Sequence, residues 1–423
     1  MLTPILTAFF ILTVILITAY LIRHYVFTLI VLRATKKATR QIPTIAGGYE
    51  PTVSILIPAH NEEKVIGALL QKIAETNYPK EKLEVIAIDD ASSDATGKIV
   101  DEYAKRYRFI KVLHRKPVDG GKGKPAALNA ALKGLHNEIV LCFDADYTPH
   151  PDLVRILASE FADPTVGAVQ GRPIVLNEPQ NVVTRLITLE RIGGYKIDQQ
   201  ARELLGLVPQ FGGTVGGFRR RLISVLGGFD ESMLTEDTDL TFELVLAGYK
   251  VRYVEAAECY EEAVASWAAY WRQRTRWAKG HMQVCFKHAF AVLGSKRLTF
   301  RQKLDSLLLL HVYFMPLISL VSLIIGVYLL FAHLAIAETL WFVVPVSMYS
   351  FVGNYAPFFE VSIGAYLDRR RQVQWLTPLM IFSFLFNMPI CAKAFLSLIY
   401  DKLTGRRNQW VKTEHLGNTK TCL

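Results

Sequence analysis

The chain reads as an α/β protein, a sheet covered by helices on both faces and held between segments apolar enough to cross a membrane. Three observations predict this. Between Val53 and Phe143, short apolar runs alternate with stretches of helical spacing. The 423 residues are 51% hydrophobic, and the apolar excess lies at the two ends of the chain. In Glu138–Asp146, a run apolar at every position from Ile139 to Phe143 stops at two carboxylates one residue apart. A strand buried on both faces ends in this way at the carboxyl edge of an open sheet, where ligands bind.

Taken in order, Ile5 to Ile22 is an uncharged run long enough for one membrane helix, and apolar residues to Leu32 extend it past Arg23 and His24. No convincing cleavage site comes after it, so a retained anchor is expected, and the basic segment Lys36–Arg40 directs the central part of the chain into the cytoplasm. Strands are expected at Val53–Ile57, Leu83–Ile88, Ile110–Leu113 and from Ile139, and helices at Glu63–Glu75, Asp94–Arg106 and Lys124–Leu135. The alternation argues for parallel strands with right-handed crossovers. A further helix runs to Ala247, with Gly248 ending it. The stretch Trp267–Trp277 is crowded with aromatic and basic groups, a composition suited to a helix at the bilayer surface. Leu304–Ala332, Leu340–Leu367 and Val373–Tyr400 are each long enough to span, and Asp305, Glu360 and several prolines interrupt them. Three crossings would leave the basic Lys402–Lys412 tail outside, against the positive-inside bias, unless one stretch is re-entrant or interfacial. The expected divisions are residues 1–35, an anchor; 50–260, a cytosolic domain; 261–302, amphipathic interfacial helices; 303–400, membrane helices; and 401–423, a polar tail.

The net charge of +10 does not point to nucleic acid. Its basic residues cluster beside the apolar spans (Arg33, Lys36, Lys37, Arg40; Arg369, Arg370, Arg371; Arg406, Arg407), where anionic lipid headgroups lie. Five scattered cysteines with no Cys-x-x-Cys spacing support neither a zinc site nor a disulfide framework.

Three polar loops accompany the acidic pair: Pro58–Glu63, Asp89–Asp94, and Gly120–Lys124 before the helix opening at Pro125. Each is also explained by a cap, a capping box or a glycine turn. Together they outline a nucleotide site at the carboxyl edge. Gly120–Lys124 is neither the dinucleotide fingerprint nor a Walker loop, whose terminal Lys-Ser/Thr is missing. Asp144 and Asp146 repel one another, and a divalent cation with a taste for hard oxygen, Mg²⁺ or Mn²⁺, removes that cost. A solvated Asp-x-Asp turn is the competing explanation.

Four elements stand in a telling order: Asp-Asp-Ala-Ser from Asp89, Asp-Ala-Asp from Asp144, Thr-Glu-Asp at Thr235–Asp237, and Gln-x-x-Arg-Trp at Gln273–Trp277. Over Pro51 to His288 the chain thereby resembles the membrane-embedded inverting family 2 glycosyltransferases, which include cellulose, hyaluronan and poly-N-acetylglucosamine synthases. It looks most like the bacterial poly-β-1,6-N-acetylglucosamine synthases and lacks the Gly-Asp-Asp box of the hyaluronan type. The resemblance implies a GT-A-type nucleotide-sugar-binding domain with a Rossmann-like mixed sheet, in a multi-pass membrane protein whose catalytic domain is cytoplasmic. It implies a UDP-sugar donor, a growing polysaccharide as acceptor, and room for an accessory subunit. Asp90 would accept from the uracil imide, with Pro58 and Glu62 framing base and ribose. Lys124 would face the diphosphate, Asp144 the ribose or donor sugar, and Asp146 the metal. Gln170 and Arg172 would line the cleft, a surface turn being the alternative. Gln273 belongs to the last box, Arg276 would lie near the diphosphate, and Trp277 would stack on the acceptor sugar. Asp237, paired with Glu236, is the candidate general base, since a sugar hydroxyl must lose its proton as it attacks. The same residues could instead be the acidic start of a helix. A lipid taking a single sugar is the alternative acceptor, and a non-catalytic transporter or sensor the remote one.

Overall fold

The structure, a computed structural model, describes residues 2–37, 48–331, 355–406 and 417. Among these residues eight strands form one sheet: β1 Val53–Ala59, β2 Leu83–Asp89, β3 Ile110–His114, β4 Ile139–Cys142, β5 Thr148–Pro149, β6 Val166–Val175, β7 Gly216–Arg219 and β8 Lys250–Glu261. Their order across the sheet is β3-β2-β1-β4-β7-β6-β8-β5. The pairs β1–β2, β2–β3 and β1–β4 are parallel, as the alternation predicts. Beyond β4 the pattern changes. β7 runs antiparallel to both β4 and β6, so the sheet is mixed.

Burial on both faces follows from side-chain alternation. Along β1, Val53, Ile55 and Ile57 join a core with Leu69 and Leu70 of the helix Ile66–Ala74 and Leu157 of the helix Leu153–Ser159. Leu56, pointing the other way, packs with Leu128, Phe218 and Leu240. Each such side chain contributes about 1.5–3 kcal/mol by leaving water, so a charge at any of them would defeat the strand. β1 and β4 carry no charged residue along their length.

Several boundaries differ from those expected. The first helix starts at Ile66 rather than Glu63, because Asn61, Glu62 and Glu63 are bonded to the loop after β2. Gln170–Arg172 lies inside β6 rather than on a surface turn, and the strand β7 lies within the glycine-rich stretch Gly212–Gly217 and the two residues after it. Gly248, in the left-handed region at φ +95°, closes the helix Glu236–Leu246 as predicted.

Among the described residues three helices are long and apolar enough to cross a membrane: Leu12–Lys36, Phe300–Ile325 and Thr377–Thr404. The first belongs to an unbroken N-terminal helix, Leu2–Lys37, a little longer at each end than the expected run from Ile5 to Leu32. Of the stretch Leu340–Leu367, residues 355–367 are helical and the rest lies outside the described residues. The expected surface helices around Trp267 form one 28-residue helix, Trp267–Gly294, which buries Tyr270, Arg274, Ala278 and Met282. It is wedged between the sheet core and the C-terminal helix Met380–Thr404. That packing uses one side and leaves Phe286, Phe290 and Leu293 exposed on the other.

Candidate active site

The loops after β1 and β2 lock together at the carboxyl edge. Asn61 and Ala91 both take left-handed conformations, with φ of 55° and 60°. The Asn61 N–H donates to Ser92 Oγ at 3.0 Å, Asn61 Oδ1 accepts from the Ser93 N–H at 2.7 Å, and the Glu62 N–H donates to Thr96 Oγ1 at 2.7 Å. Asp90 stands at this junction, buried. Its carboxylate accepts from the Gly121 N–H at 3.1 Å and is paired with Arg115, a partner that no sequence motif announced.

β4 ends at the two carboxylates. Lys124, the first residue of the helix Lys124–Leu132, donates to Asp144 Oδ1 at 2.5 Å and to the Gly213 carbonyl at 2.8 Å, while Thr214 Oγ1 accepts from the Asp144 N–H at 3.1 Å. Gly213 has φ +76°, and a Cβ there would lie 2.8 Å from Asp237 Oδ2. Only glycine lets this backbone approach the carboxylate. Asp237 itself accepts from the Thr238 N–H at 2.6 Å. Lys124, Asp144, Gly213 and Asp237 thus form one cluster.

Its electrostatics are unusual. Burial, and then the neighbouring Asp237, push the Glu236 carboxyl up to about 7. Burial also raises Asp237, against the pull of Lys124 and the Thr238 hydrogen bonds. Burial works against the Lys124 ammonium, yet Asp144 and Glu236 hold it above its ordinary range. Buried carboxylates with raised proton affinity beside a fixed cation make a pattern suited to accepting a proton.

The helix Trp267–Gly294 closes the site from the membrane side. A Cβ on Gly280 would come within 2.6 Å of Thr235 Cγ2, so the helix lies directly against the Thr-Glu-Asp segment. Arg276 feels Glu236, Asp144 and Asp237 through space, and burial lowers its proton affinity. Among the described residues it forms no ion pair within 4 Å. Trp277 has the guanidinium of Arg274 4.3 Å and that of Arg191 5.3 Å from its ring centroid, so arginines already engage the indole.

A single cavity of about 1100 Å³ joins these groups. It is lined by Pro58, Glu62, Asp90, Lys124, Asp144, Asp146, Glu236, Asp237, Gln273, Arg276 and Trp277. Two sequence candidates fall elsewhere. Gln170 is fully buried, its amide donating to the carbonyls of Gly171 (2.8 Å) and Thr214 (3.0 Å) and accepting from the Gly212 N–H at 2.7 Å. It supports the Gly212–Thr214 backbone from behind. Arg172 is committed to Glu258 and Asp368 and lies outside the cavity lining. Tyr195, Arg191 and Gln210 do line it. Arg191 and Tyr195 face the site from helical turns that motif spacing does not encode, while Gln210 opens the glycine-rich run beside it.

Asp144 and Asp146 both reach the cavity from one turn, closed by the Tyr147 N–H donating to the Asp144 carbonyl at 3.3 Å. Two hard carboxylates beside space for a ligand's oxygens suit a divalent cation, so the donor set fits one.

Residues 51–280 match the family described as "Glycosyltransferase like family 2", which is more than half of the chain, and the protein belongs to that family. It is 40% identical over 253 residues to a Bacillus subtilis protein named "Probable glycosyltransferase YdaM", covering 59% of this chain and 60% of that one. Similarity also extends to a β-monoglucosyldiacylglycerol synthase of Synechocystis, 35% identical over 60% of this chain and 53% of the relative. A poly-β-1,6-N-acetyl-D-glucosamine synthase of Staphylococcus epidermidis is 28% identical over 58% of each. The chain spans little more than half the length of these curated relatives. In fold it is like a mannosyltransferase from Pyrobaculum calidifontis solved with GDP-Man and Mn²⁺, with a TM-score of 0.60 at 23% identity over 92% of this chain and 99% of that one. The fold is GT-A-like.

Proposed function

We propose that this chain is an inverting membrane glycosyltransferase that moves a sugar from a UDP-sugar to the hydroxyl of an acceptor. The observation that carries the reading is the joining of Asp90, Asp144, Asp146, Asp237 and Arg276 on one cavity wall. In the reaction, the acceptor oxygen bonds to the anomeric carbon from the face opposite the nucleotide. The bond from that carbon to the diphosphate oxygen breaks, and the diphosphate leaves with the electron pair. Asp237 takes the acceptor proton, its raised proton affinity matched to that task. Asp90, fixed by Arg115 and Gly121, accepts from the base, with Pro58 and Glu62 beside it. Arg276 and the third N–H of Lys124 face the departing diphosphate, where negative charge grows during the reaction. Asp146, with Asp144, would hold Mg²⁺ or Mn²⁺, which when bound adds positive charge at the leaving group. Gln273 and Trp277 shape the acceptor side.

The first reading of the acceptor is a growing β-linked polysaccharide, in keeping with the Gln-x-x-Arg-Trp box beside membrane helices and the relative named for poly-N-acetylglucosamine. A second is favoured by one observation. Beyond Trp277 the cavity wall is apolar and comes from membrane helices, with Leu21, Leu309, Ile381 and Leu385 among its side chains. That wall suits a lipid acceptor, as does the relative named for glucosyldiacylglycerol. The catalytic domain is taken as residues 50–260 and cytoplasmic, with 1–35 and 303–400 in the membrane. Purified protein incubated with labelled UDP-sugars, with and without lipid, distinguishes the readings. Long polymer supports the first and single-sugar lipid the second, while absence of transfer with every UDP-sugar overturns both.

A further inference from the structure

Farther along the cavity lies a second polar group that the transfer chemistry leaves unused. Three helices meet there. The N-terminal helix brings Arg23 and His24, a π-helical stretch Ile192–Gln199 brings Asp198, and the helix over 355–367 brings Glu360. π-Helical turns are rare and concentrate at functional sites. This one faces the cavity through Gly193, Tyr195 and Asp198.

The cations of the group are already committed. Arg23 pairs with Asp198 Oδ2 at 2.9 Å and Asp305 at 3.1 Å, and Arg202 pairs with the other Asp305 oxygen at 2.9 Å. His24 Nδ1 is bonded to Glu360, which leaves Nε2 facing the cavity as an acceptor in the neutral ring and a donor in the charged one. Among the described residues Nε2 of His24 takes part in no hydrogen bond, and Asp198 Oδ1 has no donor, while Arg23 Nη2 is held only in its ion pair. A buried acceptor left unsatisfied costs about 1–3 kcal/mol, so Asp198 Oδ1 calls for a ligand that donates, and the part-exposed His24 ring beside it can serve the same ligand. A phosphate would set its own charge against Asp198, Asp305 and Glu360, with Arg23 and Arg202 already paired to the aspartates. A hydroxyl group offers the missing O–H.

We propose that His24 and Asp198 form an acceptor-headgroup site for a neutral, hydroxyl-bearing amphiphile, whose apolar chain lies along Ile17, Leu21, Leu309 and Ile381. It rests on the reading that the acceptor occupies the membrane half of the cavity. Glu360 is a positioning residue, holding the imidazole.

The test uses the full chain in nanodiscs, with the UDP-sugar it turns over and two probe acceptors, 1-monooleoylglycerol and oleyl alcohol. The wild type is expected to favour the glyceride, which has an additional hydroxyl, by about tenfold in KM, the worth of one good hydrogen bond. In His24→Gln, whose amide can still reach Glu360, KM for the glyceride rises about tenfold, the preference collapses toward one, and kcat and UDP affinity stay within about twofold. Glu360→Gln gives a smaller shift of the same kind. An unchanged KM and preference in His24→Gln would reduce the group to a helix clamp and overturn the site. So would one equivalent of metal in the wild type that His24→Gln loses, since a cation would then occupy these ligands. If the wild type transfers sugar and only the variant result fails, the headgroup site falls alone; if it transfers nothing, the reading of function falls with it.

Discussion

At the sheet edge, charged groups are fixed by backbone close at hand: Lys124 by the Gly213 carbonyl, Asp237 by the next residue's N–H, Asp90 by the Gly121 N–H. At the membrane end of the same cavity, they are fixed by one another across helices remote in the chain. Arg23 and Asp305 are 282 residues apart, and His24 and Glu360 are 336 apart. The first construction ties each group to nearby backbone and suits bond making, which loses rate steeply when groups are misplaced. The second depends on how helices pack and can change its ligand without disturbing the chemistry. On the proposed reading, one half of the cavity serves the reaction and the other the choice of acceptor.

The most severe way to break that comparison is Asp237→Asn. Transfer should fall by about 10²–10⁴-fold, the usual contribution of a general base, while UDP binding measured by calorimetry holds. Normal turnover in this variant would remove Asp237 from its role. Gly213→Ala probes the same half through the backbone. With φ at +76° and a new Cβ 2.8 Å from Asp237 Oδ2, stability should drop by about 1–3 kcal/mol and kcat by roughly tenfold or more, acceptor KM changing little. An effect confined to acceptor KM would mean that the loop serves the other half.

The gentlest test is pH. Because burial raises the Glu236 carboxyl to about 7, the folded state holds that proton more tightly than the unfolded chain does. Stability contributed by the protonated form is present below the ordinary glutamate range and lost as pH rises toward 7, the unfolded state having released its proton first. The wild type should therefore lose thermal stability as pH rises from about 5 to 7, and Glu236→Gln should lose less. For turnover the sign reverses. The raised Asp237 must be deprotonated to act, so the acid limb should lie above the ordinary aspartate range. A limb at the ordinary position would show that the site is wetter than its burial implies.

Much of the reactive half was legible before any fold was known. Asp90, Asp144 and Asp237 sit beside strand and helix ends, where a run of apolar residues stops and a carboxylate comes next, so sequence alone marks the edge of the sheet. Gln170 and Arg172 were misread for a related reason. They have the composition of a cleft, but β6 continues through them and turns both inward, to backbone carbonyls and to Asp368. Arg115 escaped notice because nothing in its own neighbourhood signals that it will meet Asp90.

Local pattern determined the strands, their carboxyl-edge loops, the acidic helix start and the apolar spans, since each depends on residues within one turn or one strand of each other. Tertiary packing alone decided the reversed β7, the burial that lifts Glu236 and Asp237, and the meeting of His24, Asp198 and Glu360. Proton affinity and ligand choice come from what surrounds a side chain in space. Residues hundreds of positions away supply those surroundings, and no short stretch of the chain records them.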